Sequence, residues 1–263
     1  MKKYILASDY DGTLAQGNGV TEETVMAIKK FQKMGNLFGV VTGRDFVMGF
    51  EYFKEKKEFP FDFVIASSGA AAYDKDGNIY FVQRINGKQA FGESTLAQEL
   101  IKECLQLTSN PCGMAFDNSR YAFHPDYPLG KMAEGIQYSA FSVLEDVEEF
   151  VLANTFCETV EQAAKVTDIL TKKFGRYVNP MQNGRYIDIS LVDVNKSIGI
   201  AHLADCIGIP HENIWTAGDN FNDMPMIKKY HGCAMASGVE DLKKVSEYVC
   251  DSVADVIEII LNK

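Results

Sequence analysis

No stretch of this chain is apolar for anything like the roughly 20 residues that a helical span needs, which excludes a membrane-spanning class. Nor does it open like a secreted protein. Met1-Lys2-Lys3 is followed by only five uncharged residues before Asp9 interrupts them, too little for a signal segment, so the expected compartment is the cytoplasm. The six cysteines, at 104, 112, 157, 206, 233 and 250, contain no C-x-x-C pair, which argues against a zinc site or a disulfide framework and predicts reduced, mostly buried thiols. The four histidines, His124, His202, His211 and His231, lack metal-ligand spacing. His202 reads as helical surface or core. Positive charge is short as well: 26 Lys and Arg against 36 Asp and Glu leave a net charge of −10 and no broad basic face for nucleic acid. An anionic substrate must therefore be drawn by a local cluster or a metal. There is no internal repeat, low-complexity tract or long linker, and no obligate protein partner is indicated.

What is present is an ordinary globular composition, 46% apolar and 24% charged, over 263 residues, a length that suggests one large domain and a smaller one. Strand-like and helix-like periods alternate, the pattern of β-α-β units and a mostly parallel sheet. Thr21 is placed to cap a helix reaching Met34, with Val25, Ile28 and Phe31 on one face and Gly35 suited to its C-terminal turn. Leu37 to Val41 and Phe63 to Ala66 are apolar runs without alternation, as in strands covered on both faces. A helix is expected from Phe46 to about Lys56, and a hairpin across Asp74 to Asn78. Between residues 83 and 184 the rhythm changes to an α+β insertion, with helices expected near Ser94 to Gln106, Leu144 to Asn154 and Val160 to Phe174. Residues 1–82 and 185–263 then form one discontinuous core, in which Lys196 opens a helix, Asn213 to Ala217 is a strand, and Val253 to Leu261 is a closing helix.

The chemistry-bearing residues gather at strand ends. The first apolar run, Tyr4 to Ser8, ends in Asp9-Tyr10-Asp11-Gly12-Thr13. In an extended segment, residues i and i+2 point the same way, and Gly12 permits a sharp bend, so both carboxylates can face one spot. Two such acids require a cation or a shared proton, and Mg²⁺, a hard ion suited to carboxylate and carbonyl oxygens, answers that need. An EF-hand reading fails because Leu14 and Val20 occupy the places that demand Gly and Glu. Thr42-Gly43-Arg44 follows the second strand and Gly218-Asp219-x-x-Asn222-Asp223 follows the Asn213 run. Ligands of open parallel sheets bind outside the carboxyl ends of the strands, so these clusters and Lys196 can converge. Taken singly, each also reads as an ordinary turn or a solvated lysine.

In order and spacing, the four segments resemble the haloacid dehalogenase superfamily of phosphohydrolases. The insertion between the second and third motifs, and Ala234-Met235-Ala236 after the fourth, resemble its Cof-type subgroup with a large α/β (type IIB) cap. The resemblance implies a Rossmann-like three-layer core with an inserted α+β cap, and a Mg²⁺-dependent phosphatase acting on small phosphorylated metabolites, sugar phosphates foremost. It implies that Asp9 is the nucleophile and becomes an aspartyl phosphate, while Asp11 serves as acid and then base. Mg²⁺ would sit on Asp9, the Asp11 carbonyl and Asp219, supported by Asp223. Thr42 and Lys196 would hold the phosphate oxygens, with Gly12, Gly43, Arg44 and Asn222 completing the phosphate and substrate contacts.

One departure touches the substrate side: Ser67-Ser68-Gly69 stands where many relatives of that subgroup carry Asn-Gly. In the cap, Arg120, His124, Arg176 and Arg185 could meet a second polar group of the substrate, although a solvated arginine is the commoner fate. Tyr121, Phe123, Tyr127 and Tyr138 read as cap core. A phosphate receiver or metabolite sensor on the same fold is the alternative, but a receiver has no need of an acid/base two residues after its phosphorylated aspartate. A mutase is disfavoured because Ala15 to Thr21 leaves no room for the helical cap such relatives carry. Dehalogenase chemistry needs neither the second acid nor the metal.

Overall fold

A computed structural model describes residues 3–17, 19–126, 132–133 and 136–263 of the chain. They divide into two compact units, one of residues 1–44, 48–81 and 195–263, the other of residues 45–47 and 82–194. Among the expectations above, Tyr127 lies outside the described residues.

The first unit is built on a sheet whose strands run in the order Tyr248–Cys250, His231–Met235, Ile214–Gly218, Ile5–Ser8, Leu37–Val41, Phe63–Ala66, Ala71–Asp74 and Ile79–Val82. Neighbours among the first six pair in parallel, and Ala71–Asp74 turns back antiparallel to Phe63–Ala66. The central strands are almost wholly buried, which is why their sequences are unbroken apolar runs rather than alternating ones. The helix Glu22–Lys33 starts where the Thr21 hydroxyl accepts the Thr24 amide proton at 3.2 Å. Acids in its first turn and lysines in its last complement the helix dipole. It buries Ile28 and Phe31 and packs against the closing helix Val253–Leu261, which Ser252 and Asp255 cap reciprocally. The segment expected as one helix from Phe46 is a π-helical turn, Val47–Glu51, running into a short α-helix, Tyr52–Lys56.

The second unit centres on a sheet in which Cys112–Ala115, Leu152–Phe156 and Tyr186–Leu191 are neighbours, with Arg120–Phe123 and Val178–Asn183 outside them. The helices Leu96–Thr108 and Val160–Phe174 pack on it and on each other, burying Leu100, Ile101, Cys104, Leu170 and Phe174 with Met114, Phe123 and Ile187. Phe123 is core and Tyr121 packs against it. The helix expected from Leu144 to Asn154 is absent. That stretch is a 3-10 turn, Phe141–Glu145, followed by strands Glu149–Phe150 and Leu152–Phe156. Leu144, Val147 and Val151 fit a helical period, but Leu152–Phe156 is paired on both sides in the middle of the sheet, and that pairing prevails over local periodicity. Tyr186–Leu191, placed with the core by sequence, likewise pairs into this second sheet, so the first unit resumes only at Asn195. Arg120, expected in solvent, forms an ion pair with buried Asp45 at 3.1 Å. Cysteines 104, 112, 157, 233 and 250 are buried and unpaired as disulfides, and Cys206 is exposed.

Candidate active site

Strand register brings the motifs together. Ser8 lies level with Ala217 on one side and Val40 on the other, so Asp9, Asp219 and Thr42 emerge from three adjacent strand ends. The Asp9 amide extends the ladder by donating to the Ala217 carbonyl at 2.9 Å. Beyond it the chain folds back on itself: the Leu14 amide donates to the Asp9 carbonyl (3.2 Å) and the Ala15 amide to the Tyr10 carbonyl (2.8 Å). The bend depends on Gly12, whose φ of +94° is open to glycine and whose added Cβ would lie 2.6 Å from Asp219 Oδ2. Next to it the Thr13 hydroxyl donates to Asp219 Oδ1 at 2.6 Å, a tie across 206 positions of sequence.

Lys196 is the first residue of the helix Lys196–Ile207, which Asn195 caps by accepting the Ile198 amide proton at 3.1 Å. Its side chain is 1% exposed and its ammonium donates to Asp9 Oδ1 and Asp223 Oδ1, each at 2.6 Å. The other Asp223 oxygen accepts the amide protons of Asp219 (3.0 Å) and Asn220 (3.1 Å), which locks the late acidic loop in place. One oxygen from each of Asp9, Asp219 and Asp223 lies within 4.8 Å of the others.

The electrostatics of this cluster are unbalanced. Burial pushes the Asp9 carboxyl up to about 8, and Asp223 and Asp219 add to that push against the Lys196 ammonium. Burial also raises Asp219. Burial alone would lower Lys196, yet Asp223 and Asp9 hold it above its ordinary value, firmly charged. One ammonium cannot neutralise three carboxylates. The remaining deficit, the all-oxygen donor set and the room kept open by Gly12 suit a hard divalent cation.

Thr42 is buried, its amide on the Ile65 carbonyl (2.9 Å) and its hydroxyl accepting the Arg44 amide proton (3.1 Å). Ser68 N–H donates to the Thr42 carbonyl (2.9 Å) and Ser67 N–H to the Arg44 carbonyl (2.8 Å). Ser67, Ser68 and Gly69 all have positive φ, at +53°, +56° and +108°, and a Cβ on Gly69 would lie 2.2 Å from the Asn195 carbonyl oxygen. Asn222 is buried, and its Oδ1 has no hydrogen-bond partner among the described residues.

Of the residues expected at the site, Asp9, Lys196, Asp219 and Asp223 meet directly, Gly12 backs Asp219, and Thr42 stands at the neighbouring strand end. Gly43 lies in the same loop as Thr42. The Asp11 carboxylate is not in the cluster. It is 57% exposed and paired with Arg44, the residue expected on substrate phosphate. Two participants had no assigned role: Thr13, within the quoted motif, and Tyr10, whose hydroxyl donates to Glu58 at 3.0 Å.

A model of the haloacid dehalogenase-like hydrolases matches residues 6–260, and the chain belongs to that family. Fold and family define its class as a phosphoric monoester hydrolase of the haloacid dehalogenase superfamily, Cof-type, with a cap domain. It is 21% identical over 266 residues to the 5-amino-6-(5-phospho-D-ribitylamino)uracil phosphatase YitU of Bacillus subtilis, covering 93% of this chain and 91% of that one. It is 25% identical over 279 residues to the B. subtilis phosphatase YwpJ, covering 93% of each. The fold matches that of the subclass IIB sugar phosphatase BT4131 with a TM-score of 0.78 at 18% identity, over 97% of this chain and 98% of the other. Among the described residues, no helix is long and apolar enough to cross a membrane.

Proposed function

We propose that the chain is a Mg²⁺-dependent phosphatase of small phosphorylated metabolites, sugar phosphates in particular, working through an aspartyl phosphate on Asp9. The observation that carries this reading is the buried Lys196 ammonium, 2.6 Å from both Asp9 and Asp223 beside Asp219. An Asp9 oxygen attacks phosphorus and the bond to the leaving oxygen breaks, while Asp11 gives that oxygen its proton. Water then attacks the same phosphorus, Asp11 takes its proton, and the bond to Asp9 breaks to release inorganic phosphate. Lys196 and the Thr42 hydroxyl face the phosphoryl oxygens, where charge spreads during transfer. Asp9, Asp219 and Asp223, with the Asp11 carbonyl, would hold Mg²⁺, which supplies the neutralisation that lets a carboxylate approach a phosphate. The second unit serves as the cap that selects the leaving group.

The substrate class rests on likeness: BT4131 is a sugar phosphatase, and the substrate of YitU carries a phosphorylated ribityl chain. Screening purified protein against phosphorylated metabolites, with Mg²⁺ and with EDTA, tests the reading. Turnover that EDTA abolishes and Mg²⁺ restores is expected. A stable phosphoprotein without turnover, or metal-independent hydrolysis, overturns it in favour of a receiver or of different chemistry.

A further inference from the structure

We infer that Arg44 is the positioning residue of the proton-transfer group, holding the Asp11 carboxylate two residues beyond Asp9 instead of binding the substrate phosphate. The inference rests on the phosphatase reading, in which Asp11 serves both half-reactions. The contact is a two-pronged fork: Arg44 Nε lies 3.0 Å from Asp11 Oδ2 and Nη2 lies 2.7 Å from Oδ1. Such planar pairing fixes direction as well as distance.

The fork is itself anchored from below. The guanidinium carbon sits 4.9 Å from the Tyr10 ring centre and 5.1 Å from that of Tyr52, and Nη1 reaches the Met48 carbonyl at 3.4 Å. The Tyr10 ring is pinned in turn by its bond to Glu58 and by the Phe53 ring at 4.6 Å. Tyr52 and Met48 come from the π-helical turn and the helix after it, and π-helical turns recur at functional sites. The backbone of Arg44 is held at both polar groups, its amide by the Thr42 hydroxyl and its carbonyl by Ser67.

Stability does not explain this investment. With side chains 27% and 57% exposed, the pair belongs to the class worth about 0–1 kcal/mol. What it provides is orientation. A carboxylate that must first protonate a departing alkoxide and then deprotonate an incoming water has to present one oxygen to the same point twice. An exposed, untethered aspartate would sample its rotamers instead. Each Asp11 oxygen gives one lone pair to the fork and keeps another, so the held carboxylate can still take and give a proton.

The experiment uses leaving-group dependence, which a merely structural role or a phosphate-binding role would not produce. For Arg44→Lys and Arg44→Gln, kcat on an alkyl phosphate should fall by about 10- to 100-fold, in line with general acid–base contributions, with KM changed by less than about threefold. On p-nitrophenyl phosphate the first step needs no proton donor. The variants should therefore release a burst of p-nitrophenol close to stoichiometric with enzyme, followed by slow turnover limited by water attack. In an Asp11→Asn background, replacing Arg44 should add nothing further. Equal losses on both substrates without a burst, a KM rise that carries the defect, or losses that multiply in the double variant would each overturn the inference. Wild-type protein inert on every monoester would instead defeat the phosphatase reading itself. Thermal melts of the variants within about 3 °C of wild type, as expected for an exposed pair in a chain of this size, show that folding is not the cause.

Discussion

Two residues apart, Asp9 and Asp11 each hold a cation, in opposite circumstances. Asp9 shares with Asp223 an ammonium that is 1% exposed, while Asp11 meets a guanidinium at the surface and is itself 57% exposed. In the first centre the charges have left water and depend on one another. Removing the ammonium leaves buried carboxylates uncompensated, so its structural and chemical roles cannot be separated there. In the second, solvent already screens both partners and little stability is at stake, so the geometry of the fork is free to serve reactivity. A short loop thus combines a buried, charge-dense nucleophile with a solvent-exposed proton carrier held in place by a cation of its own.

The widest separation between the two centres should come from Lys196→Met, with activity down at least about 10²- to 10³-fold. The protein should also lose about 3–5 kcal/mol of stability, because Asp9 and Asp223 stay buried without their cation. Denaturant melts and initial rates on one preparation check both. A variant as stable as wild type would erase the contrast. Asp9→Asn separates the two roles inside the buried centre. Turnover should vanish, yet the melting temperature should hold or rise at pH 8, since one of three crowded carboxylates is gone. Substantial residual activity would remove Asp9 as nucleophile.

A subtler effect follows from the raised Asp9 carboxyl. Its folded value of about 8 against an ordinary 3.8 means that the folded chain binds more protons than the unfolded one between those pH values. With respect to this group, metal-free protein should therefore be most stable at and below about pH 4 and lose that contribution progressively as pH rises to 8. Mg²⁺ competes with the same proton, so its stabilising effect should grow over the same window. At 100 times the dissociation constant the metal adds about 2.7 kcal/mol, or about 5–10 °C in a chain of this size. Scanning calorimetry with and without Mg²⁺ at pH 5 and pH 8 measures it, and a metal shift that shrinks with pH contradicts the ligand set.

Much of the buried centre was legible in sequence because it is written in local signals. Unbroken apolar runs mark strands, and the acids follow them directly. Asn195 ahead of Lys196, with Gly208 at the far end, marks a helix that starts at the lysine. The surface centre was not legible. That Arg44 pairs with Asp11 depends on the register of adjacent strands and on Tyr10 and Tyr52 converging beneath it, none of which has a period. Arg120 with Asp45 and Thr13 with Asp219 escaped for the same reason, since they join residues 75 and 206 positions apart. The helix expected from Leu144 to Asn154 shows the converse failure, a good local period overruled by partners far along the chain.

The left-handed turn at Ser67 to Gly69 touches the Thr42 loop on one side and the Asn195 carbonyl on the other. It works as a spacer gauge between two tools mounted on different parts of the frame, the hydroxyl of one and the ammonium of the other. Thickening the gauge by a single methyl at position 69 would wedge the lysine-bearing helix outward, so the calibration of the whole rim depends on a hydrogen atom where every other amino acid has carbon.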